Sequence, residues 1–457
     1  MSRRHRFLAG LTALLLAACG GPPAAVVPST AGAAPSPSVT EPSAFVDASP
    51  SPLPTVADAR RSDLAYLVEQ LAAYHPNPYL DEGEAAFRAR VAAIEERSAT
   101  LTDAGFLVAV MDLMGHRDRD GHSGAWAMAQ TGQRLHAWPV WLWDFPDGLR
   151  VVAARAPDSD LLGARLVRVG SATVADARHA VEPLVPRDNP SSLRANLPMY
   201  LLLPEVLDEL GLREPGGPGL TFELLDGSER ELTADPLPIE SYRDWVFGVW
   251  GGDFPVGLPP DDNGPPHLRH RELSFWSEEQ ADPAGLYVAY NQVVRIGSDG
   301  RPVTDLATEI ADAASTPSDE PFAIDLRNNG GGDNNTFAAL RRAVETMARA
   351  RPGRVSIIAG RSTFSAAGNF ITDLLVGPEA RNLRLVGEPP GGGLNIYGDV
   401  RVVTLPASGI VVLISKRYHE RAPGDDRLAL EPDVRVEVTW DDYVAGRDPV
   451  LEAALTP

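Results

Sequence analysis

Two stretches decide the fold: Ile324-Asp325-Leu326-Arg327-Asn328-Asn329-Gly330-Gly331-Gly332 and Arg361-Ser362-Thr363-Phe364-Ser365-Ala366-Ala367-Gly368. Each follows a short apolar run of β character, Pro321 to Leu326 and Arg354 to Ala359. Each precedes a run of helical character, Phe337 to Ala348 and Ala366 to Val376. The pattern predicts two successive β-loop-α units. In such units the loop and the helix start sit at the carboxyl edge of the sheet, where free backbone N–H groups and the helix dipole favour a developing negative charge. The glycines allow close approach of a substrate carbonyl. A serine at the second loop could then attack that carbonyl, although Thr363 and Ser365 could also merely cap a helix.

Working outward, further strands are expected at Leu286 to Val294, Leu383 to Val386, Val400 to Leu405 and Ile410 to Ser415. Apolar residues at helical spacing (Leu64, Leu67, Val68, Leu71; Phe87, Val91, Ile94; Phe106, Val110, Leu113) give residues 58–135 a helical character. Short β runs at Leu149 to Val152 and Ala164 to Gly170, then a helical stretch from Val174, mark residues 136–235 as a separate module. Residues 236–284 are crowded with Gly, Pro and Trp and lack periodicity, which predicts a surface excursion. Residues 285–457 hold the α/β core. The fold class is therefore α/β and multidomain.

The N-terminus is basic (Arg3, Arg4, Arg6), then apolar from Phe7 to Ala18, then Leu16-Ala17-Ala18-Cys19-Gly20. The run is too short to span a bilayer, so residues 1–19 read as a signal peptide. Cys19, the only cysteine among 457 residues, stands where a lipoprotein signal places its acylated residue. No intrachain disulfide can form. Residues 20–57, rich in Pro, Ala and Ser, read as a tether. The expected location is extracytoplasmic, lipid-anchored to a bacterial membrane. A net charge of −21 argues against nucleic acid as a partner.

The ordered set "RDRDGHSG", "DLRNNGGGDN", "RSTFSAAGNF", "GEPPGGGLNIYGD" and "LEPDV" resembles the S41 serine peptidases, the tail-specific or C-terminal-processing proteases and their tricorn-core relatives. The resemblance runs from about residue 60 to the C-terminus. It implies a helical N-terminal domain, a PDZ-like module at 136–235 and a crotonase-like catalytic core, acting on protein or peptide substrates without a cofactor. A scaffold of this type can also serve as a catalytically inactive binding protein for peptides or hydrophobic ligands.

The resemblance assigns Ser365 as nucleophile, and a serine hydroxyl needs a base. Lys416 is the only lysine, and the Gly-Lys-Gly element of lysine-dyad relatives is replaced by Glu388-Pro389-Pro390-Gly391-Gly392-Gly393. His122 occupies the "Asp-Gly-His-Thr" position that supplies the base in the tricorn-like branch. Its unperturbed pKa of about 6.5 would leave it neutral at physiological pH. Asp426 best matches the orienting carboxylate, with Asp425, Glu420 and Glu431 as alternatives. The backbone N–H groups of Gly331, or a neighbouring glycine, and of Ala366 would form the oxyanion hole. Gly391, Gly392, Gly393 and Tyr397 would line the cleft, although a mobile hairpin reads equally well there. His116, Asp118, Asp120 and His122 alternate, but an EF-hand register starting at His116 puts Ala127 where a bidentate Glu is required. No metal is expected.

Overall fold

The computed structural model describes residues 55–456 except 81, 116, 118 and 251–263, with 247–250 described as backbone only. The signal peptide and Cys19 lie outside the described residues, as do most of the tether and both His116 and Asp118.

The chain begins with α1 (Val56–Tyr74), α2 (Glu84–Arg97) and α3 (Asp103–Gly115). Thr55 caps α1 through a reciprocal bond pair with Asp58, so helix starts inside the stretch expected to be tether. Leu64, Leu67 and Leu71 of α1 pack with Phe87, Val91 and Ile94 of α2 and Phe106, Val110 and Leu113 of α3. Each such side chain contributes about 1.5–3 kcal/mol when fully buried.

The second module is an antiparallel sheet in the order β1 (Val140–Phe145), β2 (Gly148–Ala154), β3 (Arg165–Val169), β4 (Leu220–Glu223), β5 (Glu229–Glu231). Three helices are inserted between β3 and β4: α4 (Val174–Val181), α5 (Pro190–Tyr200) and a short one at Pro204–Glu209. The excursion expected at 236–284 instead contains helix α6 (Ile239–Trp250) and strand β6 (Phe275–Ala281). Trp and aromatic residues there pack inward: Tyr242 is buried and donates its hydroxyl to the Val140 carbonyl at 3.0 Å.

The core sheet runs β6, β7 (Ala284–Tyr290), β8 (Phe322–Asp325), β9 (Val355–Ala359), β10 (Leu383–Gly387) and β13 (Val434–Arg435), with neighbours in that order. All pairs are parallel except the β6–β7 hairpin. Helices α7 (Val303–Ser315), α8 (Ala338–Ala350) and α9 (Ala366–Leu375) connect successive parallel strands. In α7, Val303, Leu306, Ala307, Ile310 and Ala314 are buried, the spacing of one helical face. They join a core with Phe322, Ile324, Val355 and Ile357. The opposite face of the sheet is covered by α10 (Pro449–Leu455), through Val450, Leu451, Ala454 and Leu455.

One expectation changes more deeply. The strands at 400–405 and 410–415 do not join the core sheet. They lie in a long hairpin, β11 (Asn395–Thr404) with β12 (Val411–Glu420). Val403, Leu405, Ile410, Val412 and Ile414 enter the same apolar core as the N-terminal helices and the second module. Gly124 and Leu413 exchange backbone bonds at 3.0 and 2.9 Å. The helical domain, the module and this hairpin therefore share one core, and the hairpin carries the C-terminal chain back to the loop after α3.

Candidate active site

Strand β9 delivers the serine loop. Buried Thr363 staples it: its N–H bonds the Gly360 carbonyl (2.9 Å), and its hydroxyl accepts from the Gly360 N–H (3.0 Å) and donates to the Leu326 carbonyl (2.8 Å). The Phe364 N–H donates to the Asn329 carbonyl at 3.0 Å, tying this loop to the glycine loop after β8. Ser365 follows with φ 53° and ψ −126° at the N-terminus of α9. A non-glycine residue rarely holds a positive φ, and such strain gathers at sites that use it. Its side chain makes no capping bond to the helix. The hydroxyl instead lies 2.9 Å from His122 Nε2.

His122 comes from the turn after α3, more than 240 residues away. Its ring stacks on Phe364, with centroids 4.6 Å apart and planes at 25°. Burial is the largest influence on this imidazole and drives its pKa down to about 4; the Asp120 and Asp399 carboxylates and the Tyr397 backbone pull upward, and His419 pushes down. The ring is therefore neutral across the physiological range by a wider margin than an exposed histidine. His122 Nδ1 is buried and meets no side-chain partner among the described residues; the Tyr397 backbone is the polar group that acts on the ring.

Asp426 does not fill that gap. Its side chain is exposed, and the contact it makes in this region is through its backbone carbonyl, which accepts from Arg119 at 2.9 Å. The alternatives are no closer to the role. Asp425 is engaged by Arg427, and Glu420 and Glu431 are exposed. The loop between β12 and β13 turns its acids to solvent, a feature that order along the chain does not reveal. The carboxylates that face the imidazole electrostatically are Asp120 and Asp399, neither of which sequence reasoning selected. Asp399 sits at φ 55° with His419 Nε2 3.6 Å from its Oδ1. Asp120 is fully buried. Its Oδ2 accepts from His75 Nε2 (3.0 Å) and Arg117 Nε (3.2 Å), and its Oδ1 from the Ser123 N–H (3.2 Å) and the Ser415 hydroxyl (2.7 Å). The His75 tautomer follows from its other nitrogen, which accepts from the Asn77 N–H at 3.0 Å. Burial alone would raise the Asp120 carboxyl, but the His75 bond and the Arg117 charge hold it below the ordinary carboxylate value.

The oxyanion donors also need adjustment. The Gly331 N–H donates to Asn329 Oδ1 at 2.9 Å, while Asn329 Nδ2 donates to the Tyr290 carbonyl at 2.7 Å. Gly331 is therefore a close-approach residue rather than a free donor. With φ +111°, it lies where a Cβ would come within 2.6 Å of Ser365 Cβ and 3.1 Å of the Ala366 nitrogen. Ala366, first residue of α9, points an N–H with no partner inside the helix beside the serine.

Gly391, Gly392 and Gly393 are buried rather than carried on an exposed hairpin. The Gly392 N–H donates to the Thr363 carbonyl at 2.9 Å, and a Cβ on Gly392 would sit 3.3 Å from the Ser365 nitrogen. Tyr397 is half-buried, its ring 4.8 Å from both His75 and Tyr418. Lys416 is exposed on β12, where its charge acts on Asp399. Among the described residues no group of three or more His, Cys, Asp or Glu is arranged to hold a metal ion. A cavity of about 130 Å³ lies behind the site, between the aromatic residues Trp141, Trp143 and Phe145 of β1 and the loop roots Arg327, Gly360 and Ser362. Neither Ser365 nor His122 lines it.

No protein-family model matches the chain, and no curated protein matches it. Among solved structures, similarity is found to a presumed peptidase from Parabacteroides merdae ATCC 43184, at 19% identity and a TM-score of 0.29, covering 40% of this chain and 63% of that one. It is also found to the tricorn protease, at 14% identity and a TM-score of 0.33, covering 86% of this chain and 36% of that one. The matched regions thus span under two thirds of either protein.

Proposed function

We propose that this chain is a serine hydrolase that cleaves peptide bonds in unfolded or C-terminal protein segments. Ser365 is the nucleophile and His122 the general base. The observation that carries the reading is the 2.9 Å approach of the Ser365 hydroxyl to His122 Nε2, made by a strained serine that does not cap its own helix. In the first step Nε2 takes the hydroxyl proton as Oγ attacks the substrate carbonyl. The oxyanion forms beside the Ala366 N–H and the dipole of α9. Nε2 then gives its proton to the leaving amine, and water repeats the sequence on the acyl-enzyme. Peptide as the substrate class rests on the motif resemblance. A fluorophosphonate probe tests the chemistry: labelling at Ser365, lost on pre-incubation with unfolded substrate, is expected.

One observation favours a non-catalytic binding protein instead: among the described residues no carboxylate partners His122 Nδ1. Absence of labelling with the fold intact would select that reading.

The pH profile follows from the buried imidazole. The base works only when neutral, so His122 should impose a fall of tenfold per pH unit in kcat/KM only below about pH 4. An acid limb near 6.5 would contradict a desolvated base.

Attachment through Cys19 belongs to the same reading and lies outside the described residues. Among those described, no helix is long and apolar enough to cross a membrane. Cys19→Ala should abolish incorporation of labelled fatty acid in a bacterial host and release the protein from membranes. Absence of acylation in the wild-type protein would remove the anchor.

A further inference from the structure

We propose that Asp188 is a positioning residue for this reaction: its buried carboxylate joins the loop that carries His122 to the glycine loop that backs Ser365. The inference deepens the function proposed above and rests on it. Asp188 lies just before α5, in the second module, and is 1% exposed. Its Oδ1 accepts from the Gly121 N–H at 2.6 Å, one residue before the histidine, and its Oδ2 faces the Gly393 N–H at 3.5 Å. Its backbone is held in turn, the carbonyl accepting from the Arg119 N–H (3.1 Å) and the N–H donating to Ser192 Oγ (2.9 Å).

These contacts close a ring. From His122 the path runs through Gly121 to Asp188, across to Gly393 and Gly392, then to the Thr363 carbonyl and the serine backbone, and back over the Oγ to Nε2 contact. Gly121 is clasped: a Cβ there would sit 3.0 Å from both Asp188 Oδ1 and the Phe364 ring that stacks on the imidazole. Asn189 repeats the tie. Its side chain donates to the Pro390 carbonyl (3.1 Å) and the Leu428 carbonyl (3.2 Å) while capping α5. No other residue bridges both loops from the module by a side-chain carboxylate among the described contacts. A buried carboxylate is costly for stability alone. Burial, with the Asp120 charge adding to it, pushes this one up to about 7 against the pull of the two N–H groups. A group kept at such a cost, opposite the reactive contact in a closed ring, sets a distance. On this basis the second module helps form the site and is not merely attached to it.

The test compares wild type, Asp188→Ala and Asp188→Asn on unfolded casein, alongside amide hydrogen exchange in peptides covering residues 117–124 and 388–394. Asp188→Ala should lower kcat about 100-fold, the cost of an ångström-scale misplacement, with KM changed less than about twofold, and should speed exchange in both peptides. Asp188→Asn keeps an oxygen toward Gly121 but turns an amide donor toward the Gly393 N–H. Relative to Asp188→Ala it should therefore recover kcat only in part, to about tenfold below wild type, and slow exchange in 117–124 more than in 388–394. If Asp188→Ala does not fold, Asp188→Ser, too short to span both amides, carries the same expectation. Wild-type kcat with unchanged exchange overturns the proposal, as does a loss confined to KM or an Asp188→Asn variant no faster than Asp188→Ala. A wild-type protein that cleaves no substrate defeats the functional reading instead, and the exchange comparison then still decides whether Asp188 joins the loops.

Discussion

Ser365→Ala and His122→Ala should each lower kcat on unfolded casein by at least about 10⁴-fold, and the double variant should be no slower than either single one. Residues that act as one unit lose their joint contribution when either is removed, so the losses do not add. The expectation rests on the directness of the contact, 2.9 Å between Oγ and Nε2 with no intervening residue. Neither variant should unfold the protein. Ser365 makes no capping bond that its helix would miss, and alanine at 122 leaves the Phe364 ring in place against Gly121. Asp426→Asn should change kcat less than about twofold because its carboxylate points to solvent. Asp399→Asn should cost more, since Asp399 faces the imidazole and asparagine tolerates its φ of 55°. Full activity in His122→Ala would remove the base, and labelling at any serine other than Ser365 would remove the nucleophile.

The β-loop-α frame around Ser365 is legible from local chemistry, whereas the pairing of Ser365 with His122, like the choice of Asp426, rests on the motif resemblance alone. A β run, a glycine turn and a helix start are each set by neighbours in the chain, so the edge of β8 and β9 is legible in residues 321–376. The N-terminal helices are legible for the same reason, their apolar spacing. The hairpin β11–β12 is not, because its strands look like any half-buried strand and only their partners, Gly124 and the N-terminal core, tell where they lie. Asp426 fails for a related reason. Its assignment depends on distance along the chain from Pro432-Asp433, and the Asp433 carboxylate itself accepts from the Leu385 N–H at 2.8 Å. Register at the edge of β10 fixes that residue without fixing the loop before it. Asp188-Asn189-Pro190 carries a visible signal, a helix cap followed by proline at the first helical position. That signal announces α5 and says nothing of Gly121 or Gly393, which are distant in sequence and meet Asp188 only after the module docks.

Alanine at each of the three glycines after Asn329 should separate folding from catalysis. Gly330→Ala should leave both kcat and Tm near wild type, since a Cβ there meets nothing within 4 Å. Gly332→Ala should act on stability, because with φ +146° its Cβ would lie 2.0 Å from the Val293 carbonyl oxygen, and relief of that clash breaks the backbone bonds by which Val293 is joined to Gly331 and Asp333. Gly331→Ala should act on the reaction. Its Cβ would stand 2.6 Å from Ser365 Cβ, 3.0 Å from the Phe364 carbonyl oxygen and 3.1 Å from the Ala366 nitrogen, where carbon contacts normally settle at about 3.5–4.0 Å. None of the three atoms is the end of a flexible side chain, so the serine and the N–H beside it must move together. A shift approaching an ångström at the reacting atoms costs about 10² in rate, and the positive φ adds strain of about 1–3 kcal/mol. The expected result is a kcat lowered about 10²- to 10³-fold, with a modest fall in Tm. A Gly331→Ala enzyme turning over at the wild-type rate would show that the serine does not need the position this glycine leaves open. The nucleophile would then have to be sought away from the edge of β8 and β9.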